Sequence, residues 1–288
     1  MGFFAQFSSW LDGILSSYIG TTAAEVASAL EPAVVTLATL YVMLWGYLQA
    51  TGQIDEPIID GVKRIARIVL VLGVGLRLWL YNTVVVDSAF NGPQALAAAI
   101  SGSADPVGIV DQIIFDGGDA ASALIQKGGI LDGNFSYYLA GAFVYLAIGL
   151  AAIYTIFLLS LSKIALSILL ALGPLFIGTL LFNVSRRFFD AWISQLANYG
   201  LIAILATLAT KLLMHVLTVT AQQTAALGTG IQIADGVRVC FVAVLIFLLM
   251  RQVMPISAGL ASGVSLNSFG ALSRSVSWLG RHAVAAGS

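Results

Sequence analysis

In the stretch from Gly173 to Tyr199, GPLFIGTLLFNVSRRFFDAWISQLANY, an apolar run meets an arginine pair and an aromatic cluster. The segments before and after it are read as membrane spans that lead to this junction and away from it. The run extends from Lys163 to Phe182 and is interrupted by Gly173-Pro174. Proline removes a helical donor, so lipid tolerates the break only if neighbouring protein satisfies the freed carbonyl. The mixed side chains that follow are typical of a membrane interface. We therefore predict a helix break at Gly173 and Pro174 and a junction formed by Arg186, Arg187, Phe188, Phe189, Trp192, Gln195, Asn198 and Tyr199.

Composition identifies an integral membrane protein. Of the 288 residues, 59% are hydrophobic and only 9% are charged, whereas soluble domains carry about 25% charged residues. The formal net charge of −1 provides no overall basic field that would attract nucleic acid. The single cysteine, Cys240, excludes an internal disulfide and a multi-cysteine metal site within this sequence.

Apolar runs of spanning length predict an all-α polytopic protein with about five transmembrane helices. The run at 163–182 is expected to re-enter the membrane as a broken hairpin, with a full crossing as the alternative. Arg77 lies inside the second span, where it either snorkels outward past Trp79 or meets a partner in the bundle. The predicted spans are Pro32–Gln53, Ile65–Val86, Phe135–Ser160, Ala191–Val219 and Val237–Pro255.

The N-terminal segment from Phe3 to Tyr18 has apolar residues at helical spacing and a polar opposite face. At this length, the pattern predicts an amphipathic helix and not a span. The helix either lies on a membrane or a partner, or folds back onto its own bundle.

The central segment from Asp87 to Asn134 is too long for a simple connection and is a candidate functional region. Asp105-Pro106 has the pattern of a helix start, and an apolar and an acidic face follow. The carboxylates have no histidine or cysteine beside them, so we expect a solvated face and no metal. The apolar face is too narrow to offset the cost of ordering the segment, which predicts contact with another subunit. The predicted contact residues are Asp111, Ile113, Asp116, Asp119 and Leu124.

The distribution of basic residues predicts the topology, because cytoplasmic loops carry an excess of Lys and Arg. With the N-terminus in the periplasm and five spans, nine basic residues lie in the cytoplasm and only Lys127 and Arg238 lie outside. This arrangement divides the chain into an N-terminal periplasmic segment (1–31), two spans (32–86), a periplasmic loop (87–134), a transmembrane core (135–255) and a cytoplasmic tail (256–288). The cytoplasmic basic residues are Lys63, Arg64, Arg67, Lys163, Arg186, Arg187, Arg251, Arg274 and Arg281.

Enzyme signatures are absent from the sequence. His215 and His282 are the only histidines, so multi-histidine metal sites cannot form. An intramembrane hydrolase would need a nucleophile facing a histidine, and His215 has no evident partner. A secondary transporter is the stronger alternative, since Gly/Pro-interrupted helices line transport sites. The predicted spans contain no Asp or Glu for ion coupling. We predict a non-enzymatic protein with no cofactor and no bound metal.

The break and junction sequence, LGPLF followed by RRFFDAWISQLANY, resembles the polytopic inner-membrane subunit of bacterial type IV secretion systems, the VirB6/TrbL family. The resemblance implies a channel and scaffold subunit that carries DNA or protein across the envelope and supports pilus assembly. It also implies a role in assembly for the junction residues. The central segment is acidic, unlike a surface that binds DNA through basic side chains. This acidity is compatible with the passage of a polyanion.

The partners implied by this resemblance are membrane lipids, further copies of the chain in a ring at the base of a periplasmic stalk, pilin and minor-pilin subunits, other envelope proteins and a transient DNA or protein substrate. The expected location is the bacterial inner membrane, with multiple spans, a periplasmic N-terminus and a cytoplasmic C-terminus.

Overall fold

The computed structural model describes residues 2–53, 61, 65–66, 68–69, 71–73, 75, 80–102, 106–128, 135–181 and 184–262. Within these residues every regular element is helical, which confirms the all-α fold class. In chain order the elements are α1 (Phe3–Ala50), a π-helix (Tyr81–Asn91), α2 (Gly92–Ser101), α3 (Pro106–Lys127), α4 (Phe135–Ala171), α5 (Gly173–Gly178), a 3₁₀ turn (Thr179–Leu181), α6 (Arg186–Ala225), a second 3₁₀ turn (Gly228–Gly230) and α7 (Ile233–Met250). Residues 253–262 are helical again.

Four helices in this described part are long and apolar enough to cross a membrane. They contain four of the five predicted spans. The fifth, Ile65–Val86, lies largely outside the described residues, and so does the predicted tail after residue 262. The number of spans therefore stays a prediction. The four helices are Phe3–Ala50, Phe135–Ala171, Arg186–Ala225 and Ile233–Ser262.

Helix α1 continues where we expected two separate elements. The amphipathic segment and the first predicted span form one helix of 48 residues, and Pro32 lies inside it. Proline in a helix interior costs about 3 kcal/mol. Residues with buried side chains recur at helical spacing on both sides of Pro32, so packing along one face offsets this cost. They are Leu11, Leu15, Ile19, Ala23, Ala27, Val34 and Ala38.

Helix α4 also joins two elements that the sequence analysis separated. The third predicted span and the first residues of the predicted hairpin form one helix through Lys163. Lys163 Nζ lies 2.8 Å from both carboxylate oxygens of Asp12 and 3.1 Å from Ser8 Oγ. An ion pair offsets the cost of placing an ammonium group in an apolar helix. Lys163 can therefore lie inside α4 and not at its end. The hairpin does not begin at Lys163.

The chain divides into two compact units, each built from three separate segments. Unit 1 contains Met1–Ser16, Phe90–Ala165 and Gly200–Ile256. Unit 2 contains Ser17–Ala89, Leu166–Tyr199 and Ser257–Ser288. The domain boundaries that we predicted in chain order remain predictions.

Within unit 1, α3 packs closely against α4. A Cβ atom added to Gly117 would lie 2.5 Å from Ile148 Cδ1, and one added to Gly141 would lie 2.6 Å from Ile125 Cγ1. Both separations are shorter than van der Waals contact, so glycine permits the close approach of the two helices. Gly117, in the middle of α3, faces Ile148, whereas Ile125, later in α3, faces Gly141, earlier in α4. The two helices are therefore antiparallel.

Candidate functional site

The interruption between α4 and α5 lies in unit 2. Helix α4 ends at Ala171, and α5 begins at Gly173. In a continuous helix the backbone N–H of residue 174 would bond to the Leu170 carbonyl, but Pro174 has no N–H. The Tyr81 hydroxyl donates a hydrogen bond to this carbonyl instead, and its side chain is fully buried. Tyr81 therefore replaces the donor that proline removes.

Glycine residues make room for the packing around this interruption. A Cβ atom on Gly173 would collide with the Tyr81 hydroxyl, so a larger residue would push the ring away from the carbonyl. A Cβ atom on Gly75 would lie 2.9 Å from Ile177 Cγ2 in α5. Both glycines are buried. The interruption is thus specified by a side-chain donor and by the space that glycine leaves.

Trp192 of α6 supplies the second donor. Its Nε1 donates to the Leu169 carbonyl at 2.9 Å, and its side chain is only 3% exposed. The indole stacks on Phe176 at a centroid distance of 5.9 Å and an interplanar angle of 14°. The centroid of the Phe189 ring lies 5.6 Å from that of the indole. Trp192 therefore connects the start of α6 to both sides of the interruption.

We call the group of residues that make these contacts the capped break. Its members are Tyr81, Leu169, Leu170, Pro174 and Trp192. The last four carbonyls of a helix have no partner within it and need donors from elsewhere. In α4 the Leu169 and Leu170 carbonyls receive side-chain donors. A helix end in an apolar protein is stabilised in this way without water.

The other end of the junction packs against the last helical segment. Ser257 Oγ lies 2.6 Å from the backbone oxygen of Asn198 and 2.8 Å from its Oδ1, and Ser257 is fully buried. Ser194 Oγ donates to the Ala261 carbonyl at 3.3 Å. Tyr199 follows in a half-buried position. The beginning of α6 is therefore attached at two points along its length.

The remaining junction residues lie nearer the surface. The Arg187 guanidinium lies 5.1 Å from the centroid of the Phe188 ring, and Phe188 is 49% exposed. Arg187 and Gln195 are exposed, whereas Arg186 is half-buried. These residues have side-chain surface available for lipid or for another subunit.

The role in assembly that the family resemblance implies for Phe188 and Trp192 stays a prediction. Phe188 is 49% exposed, whereas Trp192 is buried against Phe176 and Phe189. The Trp192 side chain therefore has little surface to offer a partner.

The acidic residues of α3, in unit 1, have three different environments. Asp111 accepts hydrogen bonds from the backbone N–H groups of Phe4 and Ala5 at 3.1 and 3.0 Å, so it caps α1. Asp116 is 6% exposed and accepts from the side-chain amides of nearby glutamines. Only Asp119 is exposed. The expected solvated acidic face is thus corrected for the first two carboxylates.

The apolar face of α3 is covered by the chain itself. Ile113 is 1% exposed and Leu124 is fully buried. A Cβ atom on Gly236 of α7 would lie 2.8 Å from Leu124 Cδ1. We expected a neighbouring subunit to cover this face, but helices of unit 1 already do so.

The model of the TrbL/VirB6 plasmid conjugal transfer protein family matches residues 38–253. The chain belongs to this family. The match includes the capped break, α3 and all of α6, which confirms the family resemblance found in the junction sequence. With four helices long and apolar enough to cross a bilayer, this TrbL/VirB6 member is a multi-pass protein of the bacterial inner membrane.

Individual TrbL/VirB6 relatives have modest identity. The type IV secretion system protein VirB6 of Bartonella quintana (strain Toulouse) is 25% identical over 222 residues, covering 75% of this chain and 69% of that protein. VirB6 of Bartonella henselae is 24% identical over 219 residues, covering 74% and 68%. VirB6 of Brucella abortus biovar 1 is 25% identical over 199 residues, covering 64% and 56%.

Sequence reasoning missed several important residues of this TrbL/VirB6 protein. Nothing in the sequence analysis connected Tyr81 with the break, although a proline in an apolar helix requires a replacement donor. Asp12 was not paired with Lys163 from the sequence, although opposite charges in two apolar segments are a signal for an ion pair. No comparable signal in the sequence indicates that Asp111 caps α1.

Proposed function

We propose that this protein is an inner-membrane channel and scaffold subunit of a type IV secretion or conjugation system, and that it supports translocation of DNA or protein and assembly of a pilus. The family match over residues 38–253 carries the proposal. The relatives named type IV secretion system protein VirB6 support it. The chain works with other envelope subunits of that machine, and its role is structural, without catalysis.

The geometry of the capped break favours a scaffold over a secondary transporter. In transporters, unwound backbone at a broken helix coordinates ions or substrate. Here the Leu169 and Leu170 carbonyls already accept hydrogen bonds from Trp192 and Tyr81. These carbonyls are thus engaged in hydrogen bonds that fix the end of α4, as a rigid scaffold requires.

Exposed apolar side chains on α4 suggest where neighbouring subunits bind. Phe143, Leu146 and Ile153 are each more than half exposed in the isolated chain. In the membrane such side chains contact lipid tails or apolar helices of other proteins. We propose that part of this surface contacts further copies of the chain in a ring, and that pilin and minor-pilin subunits bind the assembled ring.

A co-purification experiment tests the proposal. A tagged chain, expressed from its native operon and extracted with mild detergent, should bring down the ATPases, pilin and envelope subunits of the machine. Cells lacking the gene should lose substrate transfer and pili and regain both with the wild-type gene. A protein that purifies alone, from cells whose transfer is unaffected by the deletion, would contradict the proposal.

We also propose that the N-terminus is periplasmic and the C-terminus cytoplasmic, as the basic residues indicate. Gln126 and Val184 are exposed positions on opposite sides in this topology. In a Cys240→Ser background, a membrane-impermeant maleimide should label Gln126→Cys in intact spheroplasts and label Val184→Cys only after lysis. Labelling of Val184→Cys from outside would show that 163–182 crosses the membrane.

We propose substrate contact by α3 only at its exposed carboxylate, Asp119. A photocrosslinker at Asp119 should capture transiting DNA or protein during transfer. The matched position is Ile113, which is buried and should capture only neighbouring segments of the same chain. Equal capture of substrate at both positions would rule out specific contact through the exposed face.

A further inference from the structure

A cavity in unit 1 combines apolar walls with two basic side chains. It has a volume of about 700 Å³ and lies among the end of α2, α3 and α6. This volume falls within the range of about 300–1,000 Å³ that small-molecule sites occupy. Ile100, Leu208 and Leu212 contribute apolar wall, while Lys211 and His215 contribute the basic groups. The cavity therefore suits a ligand with an apolar part and an anionic part.

The two basic residues are placed to act together. Lys211 and His215 are four residues apart in α6, which places them on one face of the helix. Gly102 lies beside the ammonium group, since a Cβ atom there would make an ordinary van der Waals contact with Lys211 Nζ at 3.7 Å. Both groups can thus approach the same anion.

The described part of the chain supplies no counter-ion for these groups. Among its residues, neither Lys211 nor His215 has a hydrogen-bond or ion-pair partner. Gln112 also lines the cavity, but its amide donates to Asp116 at 3.1 Å. The second Asp116 oxygen accepts from Gln222 at 3.3 Å. An ammonium group in an apolar, membrane-spanning helix is unfavourable without a partner, so an anion from outside the described residues would stabilise Lys211.

We propose that this cavity binds one anionic phospholipid, with its phosphate at Lys211 and His215 and an acyl chain along Leu208 and Leu212. Basic pockets between transmembrane helices on the cytoplasmic side bind anionic lipid headgroups, and the same charge attraction operates on the periplasmic side. A transiting nucleic acid is disfavoured, because its hydrated backbone would face the leucine side chains. The site does not depend on the function proposed above.

The test measures lipid that stays bound during purification. Wild-type protein is reconstituted with equal amounts of phosphatidylglycerol and phosphatidylcholine, re-extracted, and analysed by mass spectrometry. Phosphatidylglycerol should be enriched in the wild type. Lys211→Gln should retain about fivefold less of it, the effect of one basic group at an anionic headgroup. Equal retention by wild type and Lys211→Gln would overturn the proposal.

Matched variants separate charge from loss of structure. Arg238→Gln removes an exposed positive charge from α7, away from the cavity lining, and should keep the wild-type enrichment. Lys211→Arg retains the charge and should keep most of the bound lipid. If Lys211→Arg loses as much lipid as Lys211→Gln while both proteins remain monodisperse and thermally stable, the charge is not the determinant and the proposal fails.

Competition identifies the source of the anion. Long-chain phosphatidylglycerol should displace the bound lipid much better than a short-chain form, because the acyl chain contributes to binding. Displacement by excess inorganic phosphate alone would indicate a simple anion site. Displacement by a single-stranded oligonucleotide would indicate a nucleic-acid site. Either of these two results would overturn the lipid assignment.

Discussion

The capped break in unit 2 and helix α3 in unit 1 are stabilised in different ways. The capped break relies on two side-chain donors, Tyr81 and Trp192, that bind backbone carbonyls. Helix α3 satisfies most of its own backbone and is positioned by packing, as at Gly117 and Leu124. An interrupted helix needs particular chemical groups at particular atoms, whereas a continuous helix needs mainly complementary shape.

This difference predicts how each region responds to substitution. Removing a donor from the capped break leaves a buried carbonyl unpaired, a cost that no repacking can recover. Changing a single polar residue of α3 removes one contact but leaves the helix intact. Substitutions in the capped break should therefore have larger effects than polar substitutions in α3.

The largest effect is expected for Trp192→Ala. The change removes a side chain that is 3% exposed, together with its hydrogen bond to Leu169 and its contact with Phe176. Truncation of a buried tryptophan costs about 3–5 kcal/mol. Thermal denaturation in detergent and limited proteolysis should both show this loss of stability. The level of the protein in the membrane should also be lower.

Phe188→Ala is the matched control, because Phe188 lies one turn away and is 49% exposed. Its effect on stability should stay within about 0.5 kcal/mol, as for most surface substitutions. If Phe188→Ala destabilised the protein as much as Trp192→Ala, burial at the capped break would not explain the effect, and the comparison of the two regions would lose its strongest support.

The next effect is expected for Tyr81→Phe. This variant keeps the ring but removes the hydroxyl that donates to the Leu170 carbonyl. A buried carbonyl left without a donor costs about 1–3 kcal/mol. Thermal denaturation in detergent should show a smaller loss than Trp192→Ala, with the membrane level close to that of the wild type.

Pro174→Ala sharpens this prediction, since alanine restores a backbone N–H that can bond to the Leu170 carbonyl. In a double-mutant cycle, Tyr81→Phe should cost much less in the Pro174→Ala background than in the wild type. Additive losses would mean that the tyrosine stabilises the region only through packing, and the account of the capped break would be wrong.

The sequence predicted the features that depend on local pattern. Span-length apolar runs gave the helical membrane fold, Asp105-Pro106 gave the start of α3, and Gly173-Pro174 marked the place where α4 ends. The family resemblance that the junction motif indicated was confirmed by the family match over residues 38–253. These features depend on neighbouring residues and need no knowledge of distant contacts.

The sequence indicated that some groups need a partner, but it did not identify a partner that is distant in the chain. Lys163 was placed at a boundary because its partner Asp12 is 151 residues away in the chain. The donor for Leu170 comes from Tyr81, 89 residues away. Pro32 was expected to begin a helix, but packing on both sides keeps α1 continuous. Such pairs become visible only when the fold places them together.

The smallest effect is expected for Asp111→Ala, which removes a polar contact of α3. Asp111 accepts from two N–H groups in the first turn of α1, where helical donors lack partners and the helix dipole favours a negative charge. Loss of such a cap costs about 0.5–2 kcal/mol. The effect should be local, so hydrogen exchange should accelerate at residues 3–7 while the rest of the protein stays protected.

Asp119→Ala is the control on the same helix, because its side chain is exposed and caps no helix. It removes the same charge and should leave both the exchange rates and the melting temperature unchanged. If Asp111→Ala destabilised the whole protein as much as Tyr81→Phe, then α3 would depend on single polar contacts as strongly as the capped break does. Both regions would then depend on single polar contacts, and the distinction between donor-dependent and packing-dependent helices would not hold for this protein.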